Sequence, residues 1–378
     1  MKTVLISGAG VAGLALARLL RTHGFAPTVV ERAPAVRPGG HAIDVRGVAL
    51  EVLARMGLLD EARRMRTRLR GMSMHDGDGN ELWRTTEMTL SGGRLDSDDI
   101  ELLREDLTAL LHRSVREDAE FLFGDSLTGL DQEPAGVRTT FASGARRTFD
   151  YVVGADGLHS AVRRLAFGPE AGCLHHLGSH LAVFTTDNFL GLQDWQIWAQ
   201  GEGAGYCLYP ARGNTQLRAT LGFTSRPLDY DHRDVEQQKA LLAAHMAPLK
   251  GHTPKLLEAM RTSPDFFFDA MAQVRLDHWA RGRVALVGDA GYCPSPLSGQ
   301  GTSLALAGAY VLADELRRCA DPAVAFPRYE QRLAPFVARN QALATENREL
   351  AAEEPGQGAS EESLERAKNA LSLDVLAE

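Results

Sequence analysis

Three glycines near the start of the chain have the spacing of a phosphate-binding turn. Gly8, Gly10 and Gly13 form a G-x-G-x-x-G pattern between an apolar run, residues 4–7, and a run of helical character, residues 11–20. Gly8 permits a tight turn, Gly10 lets the backbone approach a pyrophosphate, and Gly13 allows the helix to pack closely on the strand. The free N–H groups at the helix start would face the phosphate charge. The pattern therefore predicts dinucleotide binding.

A second apolar run, residues 27–30, ends at Glu31 and Arg32. Glu31 has the position of the acid that accepts hydrogen bonds from ribose hydroxyls, and Arg32 beside it is a further candidate cofactor residue. Chance occurrence of the glycine pattern and a signal peptide are the alternatives. The complete strand, helix, strand and acid favour the βαβ unit, and no other run has the length and apolar character of a membrane span. We expect a cytoplasmic protein.

Two further glycine–aspartate motifs each follow a short apolar run. Residues 154–157 read Gly-Ala-Asp-Gly, and residues 288–290 read Gly-Asp-Ala. A carboxylate directly after a buried strand is costly unless a partner satisfies it, so Asp156 and Asp289 are candidate ligand-binding residues. The alternatives are an Asp-Gly turn at the first position and a helix N-cap at the second.

Composition restricts the class of function. The chain has 378 residues, a net charge of −8 and an apolar fraction of 44%, which indicates a globular protein whose main partner is neither nucleic acid nor an anionic membrane. The four cysteines form no C-x-x-C motif, which argues against a redox-active disulfide. His175, His176 and His180 share no single helical or strand face and have no accompanying ligand cluster, so we expect no metal site.

The pattern along the chain predicts an α/β fold: a Rossmann-like dinucleotide-binding domain, an inserted antiparallel β-sheet domain for substrate, and C-terminal helices. The expected division is 1–72, 96–171 and 273–320 for the first domain, 73–95 and 172–272 for the sheet domain, and 321–378 for C-terminal helices and an acidic tail. Among the expected elements are helices over 45–59, 100–115, 302–317 and 361–371, a hairpin over 73–83, and a break at 355–358.

The three motifs, in this order and spacing, resemble the group A flavoprotein monooxygenases, the single-component FAD-dependent aromatic hydroxylases. Residues 37–44 and 288–301 are similar to the matching stretches of the tetracycline-degrading monooxygenases, and the chain length also suits those compact members. The resemblance implies non-covalent FAD, NAD(P)H as a transient electron donor, and O2. It implies hydroxylation of an aromatic or polyketide-like small molecule through a flavin hydroperoxide. The flavin would supply the chemistry, so no catalytic residue is expected from the chain itself.

The resemblance also implies roles for residues of the later motifs. Asp289 would hydrogen-bond the ribityl chain, and the helix that opens at Gly301 would point its N-terminus at the pyrimidine edge of the flavin. Pro296 and Gly299 would line both the flavin and the substrate. Asp156 lies in a D-G-x-x-S-x-V-R signature that would serve FAD and the nicotinamide donor.

Further roles concern the loop and helix between the first two motifs. The resemblance places Arg104 against the flavin, although an arginine flanked by two glutamates is also typical of a surface ion pair. By the same resemblance, Arg37 would contact the nicotinamide donor and Asp44 would contact the flavin. The glycines between these two residues are offset by one position from the family pattern.

The inserted sheet is expected to form an apolar, aromatic-lined substrate pocket. Tyr209 falls where the sheet should approach the flavin and is the candidate pocket wall, together with Pro296 and Gly299. The aromatic side chains that the sheet could supply are Phe184, Trp195, Trp198, Tyr206, Tyr209 and Phe223.

Two other kinds of function are compatible with this sequence, and a third, halogenation, is disfavoured. An FAD oxidase or dehydrogenase would use the same cofactor without oxygen insertion, and a flavin halogenase would carry W-x-W-x-I-P, from which residues 195–198 differ. A dinucleotide-binding regulator without turnover would use the sheet as a partner surface. A monomer is compatible with this composition.

Overall fold

The computed structural model describes residues 1–353 and 360–374. Its strands, numbered along the chain, are β1 Thr3–Ser7, β2 Ala26–Glu31, β3 Ala42–Val45, β4 Met72–Asp76, β5 Glu81–Thr85, β6 Met88–Thr89, β7 Gly93–Arg94, β8 Ile100–Leu103, β9 Glu120–Phe123, β10 Leu127–Glu133, β11 Gly136–Phe141, β12 Arg146–Phe149, β13 Tyr151–Gly154, β14 Leu174–Asp187, β15 Gln196–Gly201, β16 Ala204–Ala211, β17 Gln216–Thr224, β18 Phe267–Val274, β19 Ala280–Arg281 and β20 Val284–Leu286.

The helices are α1 Val11–Thr22, α2 Val48–Arg55, α3 Leu59–Arg64, α4 Arg104–Arg113, α5 Ala161–Phe167, α6 Val235–Met246, α7 Thr253–Thr262, α8 Asp289–Tyr292, α9 Gly301–Arg318, α10 Pro322–Glu353 and α11 Glu361–Lys368. Two short 3-10 turns cover Glu170–Gly172 and Pro296–Ser298.

A six-stranded sheet carries the three motifs. Its order is β19-β20-β13-β1-β2-β9, and every pairing is parallel except that of β19 with β20. Val4, Leu5 and Ile6 are fully buried, because helices cover both faces of a parallel sheet and a continuous apolar run suits such a strand. The expected Rossmann-like unit is confirmed.

A seven-stranded sheet has the order β18-β14-β17-β16-β15-β4-β5. The β4–β5 hairpin therefore joins strands that come about a hundred residues later in the chain. The expectation of a wholly antiparallel sheet is wrong at one place, since β15 pairs in parallel with β4. Two helices that the β-rich pattern did not predict, α6 and α7, pack their apolar side chains into the core of this sheet. The domain boundaries given above stay a prediction.

Two expected helices differ from the structure. Residues 100–103 form strand β8, which pairs antiparallel with β3, and the helix begins only at Arg104. The apolar residues of this short run suit either element, and only its partner strand decides between them. The predicted helix over 45–59 is shorter, because the chain turns at Gly47, whose φ is 53°.

The C-terminal part is helical. Helices α9 and α10 pack together, and α11 packs on α10. The last helix ends at Lys368 rather than at residue 371, and the expected break at 355–358 lies outside the described residues. Among the described helices, none combines the length and the apolar character that crossing a bilayer requires.

Candidate functional site

The three motifs meet at one edge of the six-stranded sheet. Strands β1, β13 and β20 are parallel neighbours, so their carboxyl ends lie side by side, where open α/β sheets bind ligands. The Ser7 hydroxyl donates to Asp156 at 3.2 Å. A Cβ added to Gly8 would lie 2.4 Å from the carbonyl oxygen of Ala155, and one added to Gly288 would lie 3.0 Å from Ala12 Cβ. The motifs are thus in direct contact.

Gly10 and Gly13 have different surroundings. A Cβ on Gly13 would lie 2.0 Å from the carbonyl oxygen of Gly8, so this glycine allows the helix to pack on the turn. Gly10 has extended backbone, and a Cβ there would meet no described atom within 4 Å. The first turn of α1 contains no acidic residue. Open space above uncapped N–H groups fits a phosphate.

Glu31 lies beside this turn at the end of β2. Its two carboxylate oxygens accept the N–H groups of Ala9 and Ala33, each at 2.9 Å. A carboxylate has about four acceptor positions, so capacity for ribose hydroxyls is left. Arg32 and Arg37 are exposed in the segment that follows.

Asp156 is hydrogen-bonded within the protein. Its carboxylate accepts the N–H groups of Ala161 and Val162 at 2.9 and 3.2 Å and the hydroxyls of Ser7 and Ser160. Burial raises the pKa of this carboxyl, although the hydrogen bonds oppose the rise. Asp156 therefore joins β1 to the start of α5, and Ser160 caps that helix through the N–H of Arg163 at 2.9 Å.

Asp289 lies in a recess. It keeps substantial solvent-accessible surface, yet protein atoms surround it closely enough that burial raises the pKa of its carboxyl. The wall of a deep, solvent-open recess has both properties. Because water still reaches Asp289, we take its carboxylate as an available hydrogen-bonding group at the end of β20.

The turn before α9 faces a buried ion pair. Gly299 has a φ of 63°, and a Cβ on it would lie 3.8 Å from Arg46 Nη1. Arg46 Nη2 is 2.9 Å from Asp44 Oδ2, and burial raises the pKa of Asp44 to about 7. No described residue pairs with Asp44 Oδ1, Arg46 Nε or either amide atom of Gln300. Buried polar atoms without partners indicate that a polar ligand completes the site.

Arg46 and Gln300 are residues that the sequence argument missed. A signal existed for Arg46, because it lies two positions after Asp44. Side chains alternate along an extended segment, so these two residues are expected on the same face. Gln300 carried no signal beyond its place in the glycine-rich turn. The start of α9 is also open, because a Cβ on Gly301 would meet no described atom within 4 Å and the first helical turn holds no acid.

Arg104 contacts the loop before β3. Its guanidinium donates to the carbonyl oxygens of Gly39 and Pro38 at 2.7 and 3.3 Å. Burial, with the charge of Arg37, lowers the pKa of Arg104 to about 10. Neighbouring Glu105 accepts the N–H of Gly39 at 2.6 Å and pairs with Arg218. Arg104 thus shapes the 37–40 loop and is not a surface ion pair.

Tyr209 is buried, and its hydroxyl accepts the N–H of Ala42. Burial raises the pKa of this phenol well above its ordinary value. Its contact supports β3, the strand that carries Asp44. Three other aromatic candidates for the pocket, Phe184, Tyr206 and Phe223, lie in the hydrophobic core of the seven-stranded sheet. The expectation of an aromatic-lined pocket is wrong for these three, because the helices α6 and α7 cover that face.

The residues present fit a flavin dinucleotide. The N-terminus of α1 offers uncapped N–H groups to phosphates, and Glu31 has acceptor capacity for ribose. Asp289 is available in the recess, and unpaired polar atoms surround the start of α9. These groups follow one edge of the sheet in the order that an extended dinucleotide would require.

Comparisons with known proteins agree with this geometry. Residues 1–339 match the model of the FAD binding domain family. A protein of Mycobacterium tuberculosis, described only as uncharacterized, is 53% identical over 348 residues, covering 92% of this chain and 94% of that protein. A flavin-dependent monooxygenase of Legionella longbeachae is 39% identical over 339 residues, covering 89% of this chain and 86% of that protein. The crystal structure of the tetracycline destructase Tet(55) matches with a TM-score of 0.87 and 35% identity, covering 100% of this chain and 99% of that one.

Proposed function

The chain belongs to the FAD binding domain family, with flavin-dependent monooxygenases among its relatives, and from this premise we propose the reaction. Its cofactor is FAD. We propose that the protein uses NAD(P)H and O2 to hydroxylate an aromatic or polyketide-like small molecule in the cytoplasm. The observation that carries the proposal is the meeting of the three motifs around a recess that contains both open backbone N–H groups and an accessible carboxylate, Asp289.

The proposed cofactor residues follow from their places in this recess. They are Gly8, Gly10, Gly13, Glu31, Arg32, Arg37, Asp44, Arg104, Asp156, Asp289, Pro296, Gly299 and Gly301. Gly10 and the α1 N-terminus support phosphate binding, and the α9 N-terminus supports negative charge at the flavin ring. We propose that Arg104 acts by holding the 37–40 loop in place and that Asp156 acts by joining two motifs, since the contacts of both are within the protein.

When bound, FAD supplies transfer of one oxygen atom of O2 to the substrate, with the two electrons of NAD(P)H reducing the other oxygen atom to water. The chain's own residues bind and orient. The start of α9 would present N–H groups to the flavin ring, where the positive potential of a helix N-terminus would stabilise negative charge. Asp289 would accept hydrogen bonds from hydroxyls of the bound cofactor.

For the substrate we propose a large, multi-ring molecule. A shallow, solvent-open depression lies at the end of β17 and is lined by residues that include His176, Arg226 and Arg348. Helix α10 carries Arg348, and its Asn347 donates to the carbonyl oxygen of Leu297 at 2.7 Å, which joins this helix to the turn of Pro296 and Gly299. We propose that Tyr209 acts on the site indirectly, by supporting β3 through the N–H of Ala42.

The test is a substrate panel with the purified protein. We expect a yellow protein that releases FAD on denaturation, and NAD(P)H oxidation that multi-ring phenols and polyketides stimulate with formation of hydroxylated product. NAD(P)H-independent substrate oxidation without oxygen insertion would indicate an oxidase or dehydrogenase. Failure of NAD(P)H to reduce the flavin with every compound would favour a regulator. Coupling with simple hydroxybenzoates alone would contradict the large substrate and leave the monooxygenase assignment intact.

A further inference from the structure

A cluster of two histidines and an aspartate lies away from the glycine turn. His159 precedes α5, His232 lies between β17 and α6, and Asp269 lies in β18. One ligand atom from each of the three residues lies within 4.8 Å of the others. His159 Nε2 is 3.1 Å from Asp269 Oδ1, and the two imidazole rings have their centroids 4.5 Å apart. Three segments that are distant in sequence thus converge on one point.

The donor atoms are those of a transition-metal site. Two imidazole nitrogens and one carboxylate oxygen form the ligand set of open zinc sites, in which water takes the fourth position. His232 is exposed, and His159 and Asp269 are partly exposed, so an ion can reach the cluster from solvent. The exposed ring of His232 packs on the ring of Tyr230, with the two centroids 4.6 Å apart, which holds it beside His159.

A second carboxylate orients His159. Glu170 Oε2 is 3.3 Å from His159 Nδ1, and Glu170 Oε1 accepts from the buried Arg163 at 2.9 Å. A carboxylate on the far nitrogen of a ligating histidine sets the tautomer and makes the near nitrogen a better ligand.

We propose that His159, His232 and Asp269 bind a divalent transition-metal ion of the zinc class, with Glu170 as the residue that positions His159. The site would link the segment after Asp156 to the seven-stranded sheet and to the loop that carries His232. It revises the expectation of no metal, which considered only the histidines of β14. The proposal does not depend on the hydroxylation reaction, since it concerns binding of a metal ion and is tested by metal affinity.

The experiment uses the full-length, FAD-loaded protein. Zn²⁺ binding is measured by equilibrium dialysis, and Co²⁺ binding by its visible absorption at wavelengths longer than those of the flavin. We expect one ion per chain. His232→Ala and Asp269→Asn should each weaken binding at least about tenfold, and Glu170→Gln about tenfold, the lower end of the effect of outer-shell partners. His175→Ala is the matched control, an exposed histidine of β14, and should bind as the native protein does.

Because His232 is exposed, its variant should fold, and an unchanged flavin spectrum checks this. Equal affinity in the native protein and His232→Ala would overturn the proposal, as would the absence of saturable binding. Loss of binding in His175→Ala, with retention in Asp269→Asn, would assign the ion to another site and would also overturn it.

Discussion

Substituting alanine at Gly10 and at Gly13 separates two roles that one glycine motif combines. The backbone of Gly10 has a φ of −82° and a ψ of −173°, which any residue can adopt, and a Cβ there would meet no described atom within 4 Å. A Cβ on Gly13 would lie 2.0 Å from the backbone carbonyl oxygen of Gly8. Gly10→Ala should therefore affect the ligand, whereas Gly13→Ala should affect the fold.

The expected magnitudes differ accordingly. Without FAD, Gly10→Ala should leave the free energy of unfolding unchanged or raise it by up to about 1 kcal/mol, because the unfolded chain loses freedom. Its methyl group should block one hydrogen bond to a charged phosphate, about 1.5–3 kcal/mol, which weakens FAD binding roughly 10- to 150-fold. Gly13→Ala should lower the stability of the protein without FAD by ~1–3 kcal/mol, because α1 must move away from the turn.

Urea unfolding of the FAD-free protein and titration of FAD by flavin fluorescence measure the two quantities. Gly172→Ala is the control, since a Cβ there also meets no described atom within 4 Å and the residue lies outside the glycine turn. It should change stability as Gly10→Ala does and leave FAD affinity at the native value. Native FAD affinity in Gly10→Ala would refute the placement of the pyrophosphate. Native stability in Gly13→Ala would refute the packing argument.

Three further predictions concern the site and its surroundings. Asp289→Ala and Arg104→Ala should each weaken FAD binding by about 1–3 kcal/mol with little change in Tm. The control is Arg94→Ala, which removes an exposed ion pair with Asp96. Unchanged FAD affinity in both site variants would contradict the proposed roles of Asp289 and Arg104. His180 is buried, and burial lowers its pKa to about 4. As the pH falls, the unfolded state therefore takes up a proton before the folded state does. The free energy of unfolding should fall by up to about 3 kcal/mol between about pH 6.5 and pH 4. His180→Phe should flatten the plot of urea midpoint against pH, and an unchanged slope would show that this histidine does not contribute. Ser295 has a φ of 79° and a ψ of 149°, a region of backbone conformation that favours glycine. Ser295→Gly should therefore raise the free energy of unfolding by about 1 kcal/mol. A lower Tm would mean that the 3.4 Å hydrogen bond from the Leu297 N–H to the Ser295 hydroxyl outweighs the backbone strain.

The parts of the site that the sequence predicted are those that depend on near neighbours. A strand, a glycine turn and a helix N-terminus form within some twenty residues, so Gly8, Gly10 and Gly13 could be assigned from spacing alone. Asp289 was recognisable for a similar reason, since a carboxylate directly after an apolar strand is costly without a partner. The order of the three motifs, through the resemblance it supports, also indicated the cofactor and the Rossmann-like unit.

The tertiary structure decided whatever depends on pairing across long stretches of chain. Residues 100–103 are a strand because β3 lies beside them, and the hairpin of β4 and β5 joins strands from a later segment. Arg46 and Gln300 belong to the site because folding buries them with unpaired atoms, and His159, His232 and Asp269 meet only after three segments converge. Local patterns in a sequence reflect short-range sterics and periodicity, whereas burial and contact between distant residues are set by how the elements pack.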